Sequence, residues 1–332
     1  MTVLVTGGAG YIGSHMVHEL IDAGETVVVL DNLSTGFRFL FPASVDFVAG
    51  STGDRELVAK TIRKYGVTAI IHFAASVVVP DSITDPLGYY RNNTMNTCAL
   101  IDVAIEAGVR QIIFSSTAAV YGNAEESPVR ENSATMPISP YGSSKLMSEI
   151  MLHDAGRAHD LRFIILRYFN VAGADPQGRT GQSTPAATHL IKVACEAAVG
   201  KRAKMSVYGT DYPTPDGTGI RDYIHVSDLA HAHSAALGYL RRGGNSATFN
   251  CGYGRGNSVF EVIDAVRRVS GRDFPVEIEA RRAGDPPALV ANVDRIRATL
   301  PWQPRFQDLD TIVAHAFAWE RKLAGGRIHV AA

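Results

Sequence analysis

The sequence predicts an α/β fold: a doubly wound parallel sheet with helices on both faces, joined to a smaller α/β C-terminal region. Three observations carry this. Short β-branched runs alternate with helical patterns through the first half; a glycine-rich turn follows the first run directly; and beyond Asn170 the alternation loosens into long loops rich in Gly, Pro, Asp and Thr.

The elements follow in order. "TVLVT" opens as a strand, a helix is expected from Tyr11 to Ala23, and "TVVVLD" is the next strand. A helix near Asp54 to Tyr65, the strand "TAIIHFA", a long helix near Pro86 to Ala107 and the strand "QIIFSS" continue the alternation. A helix then runs from Tyr141 to about Ala158, ahead of the buried strand "RFIILRYFN". The loops "GADPQGRTGQSTP" and "GTDYPTPDGTGIRDY" are longer than connections need and suggest binding surface. Helices expected from Val226 to Leu240 and Ser258 to Val269 flank the strand-like "ATFNC", so part of the C-terminal half is expected to return to the sheet. The two regions share one body with a cleft between them, and no internal repeat or low-complexity segment divides them.

Bulk composition narrows the classes. At 332 residues and 46% hydrophobic, the chain can fill a full core. A net charge of −1 provides no broad field for nucleic acid or an acidic membrane, so an anionic ligand must be held by local arginines. Cys98, Cys195 and Cys251 are odd in number, widely spaced and free of CxxC, which argues against a disulfide framework and a zinc site and points to a reducing cytosol. The N-terminus lacks signal-peptide features and no stretch approaches ~18 apolar residues, so neither secretion nor a membrane span is expected.

"VLVTGGAGYIGSH" sets Gly7, Gly10 and Gly13 between a strand and a helix. Glycines there allow a tight turn and close approach of a phosphate to backbone amides at a helix N-terminus. A plain strand-to-helix turn uses the same residues, so the acid that ends the second strand matters. Asp31 can accept hydrogen bonds from adenosine ribose hydroxyls and repel an extra phosphate, which favours NAD over NADP; in "DNLSTG" it can equally cap a turn. In "SPYGSSK", Tyr141 and Lys145 stand four apart on one helical face, a spacing that fits surface decoration or a tuned acid/base pair.

Together with "FSSTAAVYG", the glycine turn and "SPYGSSK" resemble the extended short-chain dehydrogenase/reductase superfamily. The stretches "LRYFNVAGA", "YGTDYPTPDGTGIRDYIHVSDLA", "NCGYGRGNSV" and "RRAGDPPAL" make the chain similar, from residue 3 to about residue 290, to the superfamily's UDP-glucose 4-epimerase (UDP-galactose 4-epimerase) branch. The resemblance implies a Rossmann-type NAD domain over residues 1–170, with residues of about 226–255 returning to it, and a UDP-sugar domain over 171–332. It also implies a non-metal enzyme with tightly held NAD, and a homodimer pairing helices near Thr94 to Ala107 and Tyr141 to Ala155.

By the same resemblance Tyr141 is the proton carrier, Lys145 its electrostatic partner and a ribose contact, and Thr117 the hydroxyl on the reacting oxygen where relatives often have serine. Tyr141 then needs its phenol drawn down from ~10 toward working pH by Lys145 and the positive nicotinamide. NAD falls to Gly7, Gly10, Tyr11, Ile12, Gly13, Asp31, Asn32, Ser34, Thr35, Gly36, Ser51, Thr52, Phe73, Ala74, Ala75, Asn92 and Phe169, beside Tyr141 and Lys145. The UDP-sugar falls to Asn170, His189, Leu190, Ser206, Val207, Tyr208, Arg221, Arg282, Asp285 and Leu289, beside Thr117 and Tyr141. Ser51 departs from the aspartate many relatives place near adenine, and Val77 from a lysine some carry toward the cofactor. Leu289 is intermediate in size beside the sugar, where size bears on N-acetyl acceptance.

Three rivals remain. A 4,6-dehydratase needs an added acid and base after the active-site Thr, and Ala118 and Ala119 cannot transfer a proton. A 4-epimerase of UDP-N-acetylglucosamine, UDP-glucuronate or UDP-xylose needs the same trio. A non-catalytic NAD-binding sensor would share the fold without the activity.

Overall fold

The hydrophobic runs of the first half assemble into one parallel sheet. The computed structural model describes residues 1–124, 126–282 and 284–326; residues 327–332 of the expected second region lie outside them. In chain order the elements begin β1 (Thr2–Thr6), α1 (Tyr11–Asp22), β2 (Thr26–Asp31), β3 (Asp46–Ala49), α2 (Arg55–Tyr65), β4 (Val67–His72), α3 (Val79–Thr84) and α4 (Pro86–Tyr89). A π-helical turn (Tyr90–Met95) leads into α5 (Asn96–Glu106), followed by β5 (Gln111–Thr117), α6 (Pro140–Ala158), β6 (Arg162–Tyr168), β7 (Asn170–Ala172) and α7 (Leu190–Ala198). The rest comprises β8 (Met205–Tyr208), β9 (Ile220–His225), α8 (Val226–Arg241), β10 (Ala247–Cys251), β11 (Gly256–Ser258), α9 (Val259–Ser270), β12 (Val276–Glu279), β13 (Ala288–Leu289), α10 (Asp294–Thr299) and α11 (Leu309–Ala324).

Seven strands form the main sheet in the order β10-β6-β5-β4-β1-β2-β3, all parallel. Alternate residues of each strand point to opposite faces, so a sheet covered on both sides needs continuous apolar runs. Val3 and Val5 pack with Met16, Val17 and Leu20 of α1, while Leu4 and Ile70 pack with Val58 of α2 and Leu100 of α5 on the other face. Each such side chain, removed from water, contributes about 1.5–3 kcal/mol.

From the C-terminal half, β10 pairs with β6 at the sheet edge, and α8 packs beside α1. A second sheet of four strands is built around β9, with β11, β13 and β7 as its partners, and β8 pairs with β12. The long helix expected near Pro86 to Ala107 is interrupted by the π-helical turn. The strands β3, β7, β11, β12 and β13 and the helices α3, α10 and α11 lie beyond the elements the sequence reading marked, and β9 begins inside "GTDYPTPDGTGIRDY", the stretch expected to be loop.

Candidate active site

The glycine turn lies where β1 feeds α1. Gly7 has φ +70°, a left-handed conformation that favours glycine, and a Cβ there would lie 2.6 Å from the Ala74 amide nitrogen. A Cβ on Gly13 would collide with the Gly7 carbonyl. Gly10 differs: its φ of −79° suits any residue, and a Cβ would meet only the Gly7 oxygen at 3.3 Å. Gly10 also N-caps α1 without any side-chain cap, leaving the amides of Tyr11, Ile12 and Gly13 at the helix start for an anion. Tyr11 itself donates its hydroxyl to Gly173 O at 2.7 Å, tying this helix to the segment after β7.

Asp31, buried at the end of β2, accepts from Ala9 N at 3.0 Å and Leu33 N at 2.7 Å. Burial raises its pKa, against the two amides that lower it. The carboxylate therefore does cap the turn, and each oxygen retains acceptor capacity for a ribose hydroxyl. Asn32 accepts from Ser34 N at 3.0 Å, bending the loop through Thr35 to Gly36, whose backbone lies against Ala9. Beyond β3, Ser51 Oγ accepts from Gly53 N at 3.1 Å and contacts Asn96 Nδ2 at 3.4 Å, next to the buried Thr52. Gly50 N donates to Asp31 O, which holds this loop beside the acid.

Phe73, Ala74 and Ala75 leave β4, with Phe73 N donating to Thr6 O and its ring 4.8 Å from that of His233. Asn92 donates to Ser76 Oγ at 2.9 Å. These residues cluster at the C-terminal ends of β1, β2 and β4, the edge at which open α/β sheets bind ligands. The free helix amides, the room above Gly10 and the buried acid fit NAD.

The trio Thr117, Tyr141 and Lys145 comes from β5 and α6. Ser139 caps α6 by accepting from Gly142 N at 3.2 Å, and Pro140 takes the first helical position. A Cβ on Gly142 would come within 2.6 Å of Ala119 O, so the first turn lies directly on the segment after β5. That places Tyr141 by Thr117, which acts to lower the phenol's pKa against burial. Thr117 Oγ1 accepts from Ala119 N at 3.1 Å. The Tyr141 ring packs edge-on to Tyr89 at 6.5 Å.

Burial pushes the Tyr141 phenol up to about 12. Burial pushes Lys145 down to about 7, opposed by Glu149, and its ammonium sits 4.2 Å from the Phe114 ring centroid. Both groups are buried, and low dielectric disfavours each charged form.

The nucleotide-sugar residues gather in two groups. Asn170 starts β7 opposite Tyr223, and with His189 and Leu190 it lines one cavity. His189 is the N-cap of α7, lies 2.8 Å from Gln182 Nε2 through Nδ1, and is held toward its neutral form by burial. In the other group, Arg221 Nη2 lies 3.7 Å from Asp285 Oδ1, and Leu289 pairs opposite Arg221 between β13 and β9. Ser206, Val207 and Tyr208 form β8, and the Arg282 guanidinium rests 3.7 Å above the Tyr208 ring. Phe169, between β6 and β7, packs against Val120 and Tyr121.

The sequence reading passed over Glu149 and Arg167, a buried ion pair behind Lys145. Its signal was present: Glu149 stands eight residues after Tyr141 and four after Lys145, on the same helical face.

The sheet, the glycine turn with its acid and the buried Thr/Tyr/Lys trio define a dinucleotide-dependent α/β enzyme of the Tyr-Lys type. Residues 3–252 match the model of the NAD dependent epimerase/dehydratase family, and the chain belongs to that family. It is 59% identical over 321 residues to a UDP-glucose 4-epimerase of Azospirillum brasilense, covering 97% of this chain and 92% of that protein. The crystal structure of UDP-glucose 4-epimerase from Brucella ovis in complex with NAD is 46% identical, with a TM-score of 0.93 over 96% of this chain and 97% of that one. The enzyme from Bifidobacterium longum in complex with NAD+ and UDP is 36% identical, with a TM-score of 0.91 over 98% of this chain and all (100%) of that one.

Proposed function

We propose that the chain is an NAD-dependent epimerase that interconverts UDP-galactose and UDP-glucose by inverting C4 of the hexose. The observation that carries this reading is the buried trio of Thr117, Tyr141 and Lys145 followed by Ala118 and Ala119, which leaves proton transfer at one oxygen and no added acid or base for elimination. Similarity to proteins of that activity over nearly the whole chain supports it.

Tyr141 takes the proton of the sugar 4-hydroxyl, with the Thr117 hydroxyl hydrogen-bonded at the same oxygen. Bound NAD supplies the hydride acceptor and then the donor at C4. The Gly10 turn, Asp31, Asn92 and Lys145 hold it. Arg221 and Arg282 hold the diphosphate, Asp285 accepts from the uridine ribose, and Tyr208 lies beside the base; the nucleotide stays anchored while the 4-ketopyranose turns its other face. Tyr141 then returns the proton. The seven-stranded part serves as the cofactor domain and the region around β9 and β8 as the UDP-sugar domain.

Two further assignments belong here. Outward apolar side chains Met95, Met147 and Ile150 support a homodimer through α5 and α6. The three free cysteines, Cys98 being exposed, support a reducing cytoplasm; among the described residues no helix is long and apolar enough to cross a membrane.

The test is a product assay. Purified protein given UDP-galactose forms UDP-glucose, and Tyr141→Phe retains NAD and UDP-sugar while turnover falls by about 10²–10⁴-fold. Near-normal turnover in the folded variant rules the assignment out, and faster conversion of an N-acetylated or carboxylated UDP-sugar reassigns the substrate.

A further inference from the structure

Lys192 of α7 and Glu320 of α11 form a buried ion pair. Burying two ions is costly, and apolar residues of like volume often serve stability as well. This pair also holds a loop segment in place. Lys192 Nζ donates to Gln182 O at 2.9 Å. On either side of that carbonyl, Trp319 of α11 meets the same segment: its Nε1 donates to Ser183 Oγ at 3.3 Å, and a Cβ on Gly181 would lie 2.4 Å from its ring. Gly181, Gln182 and Ser183 are therefore fixed at three successive positions, and all three are buried.

The Gln182 side chain carries this rigidity onward. Its Nε2 lies 2.8 Å from His189 Nδ1. An amide nitrogen only donates, so Nδ1 is the bare nitrogen of a neutral imidazole and Nε2 the protonated one. His189, the N-cap of α7, lines one cavity with Gln182, Asn170, Leu190 and Tyr223. That cavity lies near the trio, because Asn170 stands two residues beyond Tyr168, which pairs opposite Thr117 between β5 and β6.

We propose that Gln182 is a positioning residue for the UDP-sugar: held against α11, it fixes the His189 tautomer so that Nε2–H is the atom offered to a substrate oxygen. A phosphate oxygen accepts and does not donate. The same ring with its proton on Nδ1 would meet that oxygen lone pair to lone pair.

This inference rests on the reading above that His189 faces the UDP-sugar, and the experiment separates the two. Initial rates with UDP-galactose are measured on the holoenzyme for wild type, Gln182→Met, His189→Ala and the double variant. Gln182→Met is expected to raise KM about five- to tenfold, the loss of one hydrogen bond, with kcat and NAD content near wild type. In the His189→Ala background the same substitution is expected to change KM by less than about twofold, because residue 182 acts through the ring. Ring-nitrogen NMR spectra, assigned with His189→Ala, are expected to show the Nε2–H tautomer in the wild type and a mixture in Gln182→Met. Since a buried substitution can prevent folding, the wild-type spectrum tests the tautomer with no substitution at residue 182. A proton on Nδ1 in the wild type, an unchanged KM in folded Gln182→Met, or an equal rise of KM in both backgrounds overturns the role. If His189→Ala itself keeps the wild-type KM, the placing of His189 at the substrate fails; if it raises KM and Gln182→Met does not, only the positioning role does.

Discussion

At Gly13 a methyl group would run into the Gly7 carbonyl, whereas at Gly10 the backbone suits any residue and a methyl meets little of the protein. The two glycines therefore serve different ends, one internal packing and the other ligand approach. Gly13→Ala is expected to cost about 1–3 kcal/mol of stability through overpacking at a backbone that cannot yield. Gly10→Ala is expected to keep near wild-type stability while its affinity for NAD falls by about tenfold or more, because the methyl stands where a phosphate would approach. Urea denaturation with the cofactor stripped, together with NAD titration, checks both. Equal destabilisation by the two variants contradicts the distinction. Asp31 shows the same doubling of purpose, capping the loop through Ala9 and Leu33 with acceptor capacity to spare.

Helix α6 inverts the usual amphipathic pattern. Its buried face carries Tyr141, Ser144, Lys145, Ser148 and Glu149, while Met147 and Ile150 stand 44% and 52% exposed. Chemistry occupies the inward face, so the outward apolar side chains need another surface, and Met95 at the start of α5 extends the patch. Sedimentation velocity is expected to give a dimer for the wild type and a monomer for Ile150→Glu, with α6 intact by circular dichroism. A monomeric wild type at micromolar concentration removes the proposed face. The same helix shows what the sequence made legible. Its start was readable from Ser139 and Pro140, and β1, β2, β4, β5 and β6 from runs apolar on both faces. Strand β3 was not, because it has only four residues, two exposed and two partly buried. The pattern Leu309, Ile312, Val313, Phe317 does signal α11, beyond the last motif of the resemblance. Arg167 and Glu149 lie on different elements, so their pairing follows from β5 and β6 lying under α6, which local patterns do not encode.

Among the described residues, five histidines are buried and held toward the neutral form: His15 and His18 on α1, His72 on β4, His225 ending β9 and His233 on α8. Burial lowers His15 and His233 to about 4 and His72 to about 3, and takes His225 well below its ordinary value. At His225 the amide that donates to Nδ1 leaves that nitrogen no lone pair for a second proton. His72 lies between Thr6 Oγ1 at 2.6 Å and Thr97 Oγ1 at 2.9 Å, and His225 accepts from Ser227 N at 3.0 Å while its Nε2 faces His315 Nδ1 at 3.0 Å. With folded pKa values below the unfolded value of 6.5, the unfolded chain binds more protons between pH 6.5 and about 4, so stability falls as pH falls through that window. Each such histidine contributes up to about 1.4 kcal/mol per pH unit. Asp31 and Asp222, whose pKa values are raised, act in the opposite sense, but as carboxylates they come into play toward the acid end of that range. Urea midpoints measured from pH 7.5 to 4.5 are therefore expected to hold above pH 7 and fall steeply below 6, and a midpoint flat down to pH 5 contradicts the account. His72 lies under Lys145, and His233 stacks on Phe73 at the cofactor wall, so acid should release bound NAD together with the fold.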